Sequence, residues 1–412
     1  MTDIIERIIE LAIQIQQIPA PTFHEQKRAE FVRGLFEREG LRDVTMDEAG
    51  NVYGLLKVKG HMSKVEGQGS KVEGRRAKGK PLVISAHLDT VFPFEMDLSI
   101  RREAGRVYGI GIGDNSIGVA ALFGLMWMLT SPQPSPMGRG SVSSPQPSPA
   151  RQGSVSSTLP PLADGGQDIW FVANTCEEGL GDLRGMKAVT ERFGGDVTAY
   201  LVLEGMALGH VYHKAVGVKR YRITARTQGG HSWSDYGQPS AVVELSKLVV
   251  QLSALKLPAK PRTTMNVGKI QGGTSVNTIP AEAWLELDLR SEGQAELAEL
   301  VEGVERLIEA ANKAGVRVEA EVIGSRPAGE MSPEHPLVKL AESCVREAGL
   351  EPILTSGSTD ANIPLSKGYP ALVLGVTQGG GAHTKGEFIE TEPVERGMRQ
   401  LTRFVSSVIR GQ

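Results

Sequence analysis

The chain has 412 residues, of which 40% are hydrophobic and 23% charged, and a formal net charge of -3. That length is too great for one ordinary core and predicts two domains, and the charge, with no long basic stripe, excludes a nucleic-acid footprint. Two cysteines, Cys176 and Cys344, exclude a disulfide framework and point to a reducing, cytoplasmic setting; no secretory leader is expected at Met1–Arg7, and no run is expected to reach membrane-spanning length.

Ile4, Ile5, Ile8, Ile9, Leu11, Ala12 and Ile15 recur at helical spacing and predict an amphipathic helix over 3–18, ended by Pro19 and Pro21. A second helix is expected over 25–39, with Gly40 as its stop, then strands over 51–57 and 81–85. Between those strands Ser63-Lys64-Val65-Glu66-Gly67 recurs as Ser70-Lys71-Val72-Glu73-Gly74. Further on, Ser131-Pro132-Gln133-Pro134-Ser135-Pro136 recurs as Ser144-Pro145-Gln146-Pro147-Ser148-Pro149. Repeats this short bury no core, and their composition is that of linkers. Surface insertions are therefore expected at about residues 60–80 and 131–165.

An apolar helix is expected over 119–129, strands over 168–174 and 200–203, and a helix between them near 183–193. Strands alternating with helices predict an α/β core with a mostly parallel sheet. From about residue 209 the pattern changes to strand 219–227, helix 240–255, strands 263–271 and 282–290, helix 295–314 and strand 317–323. This β-α-β-β-α-β order is the ferredoxin-like plan. The core then resumes with a helix over 336–348, a strand near 371–374 and a helix over 394–409. The expected organisation is a main α/β domain of residues 1–208 and 328–412 interrupted by an α+β domain of residues 209–327.

Five candidate metal ligands are scattered along this plan: His87, Asp114, Glu178, Glu204 and His383. His87, Glu178 and Glu204 each closely follow an apolar run, which delivers them to the carboxyl rim of one sheet, where α/β folds gather ligands. In His87-Leu88-Asp89, residues i and i+2 point the same way, so Asp89 can fix the imidazole through its second nitrogen. Asp114 follows a run with Gly109, Gly111 and Gly113 that lacks the G-x-G-x-x-G register of a dinucleotide loop. Alone it is equally an N-cap of the next helix. Glu177 and Glu178 are adjacent acids at a buried strand end, where like charges are costly without a cation. Adjacent side chains diverge, so one can ligate while the other takes a proton from a water. Each segment alone also reads as a cap or a turn. The joint pattern of two imidazoles, three carboxylates and a spare acid points to metal-assisted amide hydrolysis.

With these motifs in view, the chain resembles the co-catalytic dizinc metallopeptidases and deacylases, a family that includes glutamate carboxypeptidase, aminoacylase, succinyl-diaminopimelate desuccinylase and peptidase T. Ser85-Ala86-His87-Leu88-Asp89-Thr90-Val91 and Glu177-Glu178-Gly179 carry the resemblance most specifically. It implies a zinc-exopeptidase-like α/β/α catalytic domain with an inserted ferredoxin-like α+β lid and dimerisation domain, hence a homodimer. It also implies two zinc ions, with cobalt or manganese as substitutes: His87 and Glu204 on one, Glu178 and His383 on the other, Asp114 bridging, and a cis peptide after Asp114. Glu177 would be the general base and Asp89 the partner of His87. In the inserted domain, His231 of Gly229-Gly230-His231-Ser232 resembles a histidine that steadies the oxyanion, often in the partner subunit. Asn277, Arg290, Gly357 and Ser358 resemble substrate-binding positions, and Gly357-Ser358-Thr359-Asp360 a loop that holds a terminal carboxylate.

The implied activity is zinc-dependent cleavage of small peptides or N-acyl amino acids, of the carboxypeptidase or deacylase type. Glu204 favours that type, whereas the texture of Gly-Ile-Gly-Asp-Asn-Ser and Gly-His-Ser-Trp-Ser-Asp favours a tripeptide aminopeptidase like peptidase T. A third reading is a metal-dependent amino-acid-binding module without catalysis, against which the spare acid Glu177 argues. Neither nucleic acid nor membrane is expected as a partner.

Overall fold

The computed structural model describes residues 2–58, 79–130 and 167–411, so the repeat-bearing stretches expected as insertions lie almost entirely outside the described residues. A nine-stranded sheet organises the larger part. Its order runs Arg42–Met46, Val52–Leu56, Ile169–Asn174, Leu82–His87, Ala199–Glu204, Ala371–Gly375, His210–Ala215, Gly329–Glu330, with Ile353–Gly357 also paired to His210–Ala215. The expected mostly parallel sheet is in fact mixed. The four central strands, Ile169–Asn174 to Ala371–Gly375, are parallel, and antiparallel pairs flank them on each side. The centre is buried on both faces, which is why Leu82–His87 and Ala371–Gly375 read as continuous apolar runs.

Helices flank this sheet. Thr2–Gln16, Ile117–Thr130 and Val394–Arg410 pack together, and Pro336–Glu347 packs on the last of them. The expectation about membrane-spanning length needs correction. The helical stretch Ile112–Thr130 has 19 residues and a mean hydropathy of 1.4, but 89% of that window is buried inside the protein. It is apolar all round because neighbours cover every side. Gly124 allows the close approach: a Cβ there would lie 2.5 Å from Ile8 Cδ1 and 2.8 Å from Met398 Cε.

A separate four-stranded antiparallel sheet has the order Thr263–Gly272, Glu282–Ser291, Gly217–Thr227, Val316–Arg326. Helices Ala241–Ser253 and Gln294–Ala310 cover one face, and Leu245, Leu248, Leu252, Leu285, Leu287 and Val304 build its own core. The strand order is that of the ferredoxin-like plan. The expected switch near residue 209 falls later. His210–Ala215 belongs to the large sheet, and the second sheet starts with Gly217–Thr227. His210–Ala215 has alternating burial, like the strand that follows it, so sequence periodicity ran the two together.

Candidate metal centre and cleft

The central parallel strands end at one rim. His87 is the last residue of Leu82–His87 and Glu204 the last of Ala199–Glu204. Glu177 and Glu178 follow Ile169–Asn174, and His383 lies on the loop after Ala371–Gly375. Asp114 stands just before the helix Ile117–Thr130, and the Asp114–Asn115 peptide is cis. The rim brings all five candidate ligands together. His87 Nε2 lies 3.0 Å from Asp114 Oδ1 and 4.0 Å from Glu204 Oε2. His383 Nε2 lies 3.1 Å from Asp114 Oδ2 and 3.1 Å from Glu178 Oε1. Asp114 thus turns one oxygen toward each imidazole. Three donor groups result among the described residues, His87/Asp114/Glu204, Asp114/Glu178/His383 and His87/Glu177/Glu178, each with its donor atoms within 4.8 Å of one another.

The charges in this cluster are mutually perturbing. Burial pushes Asp114 up, but hydrogen bonds with His383 and His87 outweigh it and hold its carboxyl below the usual range. Burial opposes protonation of His87, yet Asp114 and Asp89 raise its pKa well above the ordinary value. Hydrogen bonds with Asp114 and Glu178 push His383 up to about 10. Burial drives Glu204 well above the carboxylate range. Burial also raises Glu177 to about 8, against the pull of Arg326. Carboxylates crowded out of water in this way favour the uptake of cations. The mixed imidazole and carboxylate donors fit zinc, and also cobalt or manganese.

Asp89 is fully buried and does more than contact His87. Its Oδ1 lies 3.4 Å from His87 Nδ1 and accepts the Glu177 N–H at 2.9 Å. Its Oδ2 accepts the Glu178 N–H at 2.8 Å and the Thr22 hydroxyl at 3.0 Å. One carboxylate thereby orients the imidazole and fixes the loop that carries both acids. The Asp89 main-chain carbonyl lies 3.1 Å from the same Nδ1.

A cleft of about 470 Å³ opens over the cluster, lined by His87, Asp114, Glu177, Glu178, Glu204 and His383 on one side. Arg220, Arg290 and Arg326 from the inserted unit, with Ser358, Thr359 and Tyr212, line the rest. Arg290 therefore reaches the cleft, where its Nε donates to Asp288 at 2.7 Å. Ser358 reaches it too. Gly357 lies next to it without lining the cleft, and a Cβ there would press into the Tyr212 ring at 2.7 Å. His231 and Asn277 are exposed on the inserted unit and are not among the lining residues. Exposed Trp233, Tyr236 and Val276 surround them in sequence.

Four residues that the sequence did not single out hold the site. Arg326 Nη1 donates to Glu177 Oε1 at 3.0 Å and to the Ser358 carbonyl at 3.2 Å, and its Nη2 donates to the Glu177 carbonyl. Arg220 donates to Asp288 at 2.8 Å and to the Gly179 carbonyl at 3.1 Å, so Asp288 lies between two guanidinium groups. Asn174 donates to buried Asp360 at 2.7 Å. The Glu387 carboxylate accepts three backbone N–H groups of the Asp114 loop.

Known proteins resemble this chain in sequence and in fold. A family profile described as a peptidase dimerisation domain matches residues 214–316. Succinyl-diaminopimelate desuccinylase of Corynebacterium glutamicum is 23% identical over 343 residues, covering 80% of this chain and 82% of that protein. Acetylornithine deacetylase of Erwinia tasmaniensis is 32% identical over 189 residues, covering 41% of this chain and 46% of that one. A solved tripeptidase from Staphylococcus aureus superposes with a TM-score of 0.74 at 20% identity, over 98% of this chain and 99% of that chain.

Proposed function

We propose that the chain is a member of the M20 metallopeptidase and deacylase family, and a metal-dependent enzyme that removes the acyl group of N-acyl amino acids or cleaves small peptides at the carboxyl end. The observation that carries this reading is Asp114 turned to both imidazoles, with Glu177 beside them in the grip of Arg326. His87, Asp114 and Glu204 would hold one zinc ion, and Asp114, Glu178 and His383 the other. Bound there, the two cations would supply Lewis acidity, polarising a water and the scissile carbonyl.

The remaining work falls to the chain's own groups. Glu177 Oε2 takes the proton of the attacking water and returns it to the leaving amine, while Arg326 fixes Oε1. Asp89 keeps the Glu177–Glu178 peptide in place through the two N–H groups it accepts. Arg290 and Arg220 present guanidinium groups to a substrate carboxylate, which a planar fork pairs in two places. Ser358 supplies a further polar contact. His231 and Asn277 lie off this cleft and serve the site of a second copy, His231 toward the oxyanion. A homodimer through the inserted unit follows from that placement and from the matched dimerisation domain.

The cationic wall favours substrates with a free carboxylate over peptides that must present a free amine. A panel run on zinc-loaded protein tests this: N-acyl amino acids and N-blocked dipeptides against C-amidated tripeptides. Turnover of the first group is expected. Cleavage confined to the C-amidated, free-amine substrates would replace the proposal with the aminopeptidase reading.

A further inference from the structure

The glycine-rich run Tyr108–Gly118 has the texture of a loop that cradles an anion, although its register fits no dinucleotide. Its amides are already occupied from within the protein. Glu387 is fully buried, and its Oε2 accepts the Gly111 N–H at 2.9 Å. Its Oε1 accepts the N–H groups of Gly113 at 2.8 Å and Asp114 at 2.9 Å. The Glu387 carbonyl accepts a fourth, from Gly109 at 3.0 Å. Backbone amides converging on one anion form a nest. Glycine is what allows the curl. Gly111 has a left-handed φ of +70°, and a Cβ on Gly113 would lie 2.4 Å from Met206 Sδ.

Both partners in this contact sit next to candidate ligands. Asp114 lies within the run, directly after Gly113, and Glu387 lies on the same loop as His383. Those loops are some 270 residues apart in sequence; they also meet through His383 and, farther from Asp114, through the pairing of Phe388–Glu390 with Arg106–Tyr108, the Tyr108–Phe388 ring contact and the Arg106–Glu390 ion pair. Resting on the assignment of Asp114 and His383 as cation ligands, we infer that Glu387 is a positioning residue that locks the Asp114 loop to the His383 loop. It holds the Asp114 carboxylate with one oxygen toward each imidazole, ready to be shared by two cations. Glu387 touches neither substrate nor cation; it acts through the backbone of Asp114.

Groups that brace a metal ligand from behind typically change affinity by about 10–100-fold when removed. Glu387→Gln is the decisive variant, because it keeps the shape and one acceptor oxygen but turns an NH2 toward an amide donor. Zinc affinity is measured by competition with a chromophoric chelator. Amide hydrogen exchange over residues 109–114 is measured on the zinc-free protein, which needs no turnover. The expected result is zinc binding weakened about 10–100-fold, faster exchange at Gly111, Gly113 and Asp114, and a loss of activity that excess zinc reverses. Wild-type zinc affinity with unchanged exchange overturns the inference. So does a loss of kcat that persists at saturating zinc, which would place Glu387 in the chemistry. Wild-type protein that binds no zinc would instead sink the ligand assignment itself, a result separable from the first. Glu387→Ala extends the series, and if it does not fold, Glu387→Gln still decides.

Discussion

Replacing Arg326 by Met removes a guanidinium while keeping side-chain length, and the structure says what is lost. Arg326 and Glu177 are 6% and 8% exposed at the side chain, so the pair is shielded from water. The substitution deletes the 3.0 Å contact to Glu177 Oε1, the bond to the Glu177 carbonyl and the 3.2 Å bond to the Ser358 carbonyl. Breaking a buried pair from one side costs about 3–5 kcal/mol, since the other charge is left without its partner. Hydrogen bonds to charged groups at about 1.5–3 kcal/mol each give a compatible figure. Urea unfolding of the metal-free protein, followed by circular dichroism, should therefore lose about 3–5 kcal/mol. Turnover should fall as well, by up to the roughly 10²–10⁴-fold that a placed general base contributes. Stability within about 0.5 kcal/mol of wild type, the range of an ordinary surface change, together with undiminished kcat would refute the argument that Arg326 holds Glu177.

Glu177→Ala should lose turnover by about 10²–10⁴-fold while retaining metal, measured by elemental analysis; near-normal turnover removes it from the proton transfer. His231→Ala should be similarly impaired, and mixing the two inactive variants should restore activity if His231 serves a second copy's site; no recovery after subunit exchange favours a site completed within one chain. Burial is the main reason Glu25 sits above the usual carboxylate pKa, helped by repulsion from Asp89. Its folded form therefore binds its proton more tightly than the unfolded chain does, and its contribution to stability falls as pH rises through the carboxylate range. Glu25→Gln keeps the oxygen that accepts the Phe23 and Cys176 N–H groups. It should raise the melting temperature at pH 8 relative to wild type and leave it nearly unchanged at pH 4; the opposite order contradicts the sign.

The convergence of His87, Asp114, Glu178, Glu204 and His383 was legible because three of them, His87, Glu178 and Glu204, follow apolar runs that form central strands. The parallel centre was legible for the same reason. The antiparallel flanks were not, since Arg42–Met46 and His210–Ala215 are half-exposed and carry no run of apolar residues. Arg326 and Glu387 stayed hidden because each acquires its role from a partner 149 or 273 residues away, and no local period encodes that meeting. The glycines of 109–113 were visible, but what they cradle was not. An anion nest looks the same in sequence whether its guest is a phosphate or the protein's own carboxylate.

The inserted unit leaves the large sheet after Ala215 and returns at Gly329, and those two residues face each other in antiparallel register. A tight turn grafted between them would close a hairpin and dispense with everything from 216 to 328. The large sheet would keep its strands and lose, at that edge, the Val216 N–H bond to the Gly357 carbonyl. What such a trimmed protein would forfeit is Arg220, Arg290 and Arg326, the three guanidinium groups of the cleft wall, all inside the discarded stretch. The appendage enters and leaves at one edge of the large sheet and supplies the hand that steadies the acid at the heart of the cleft.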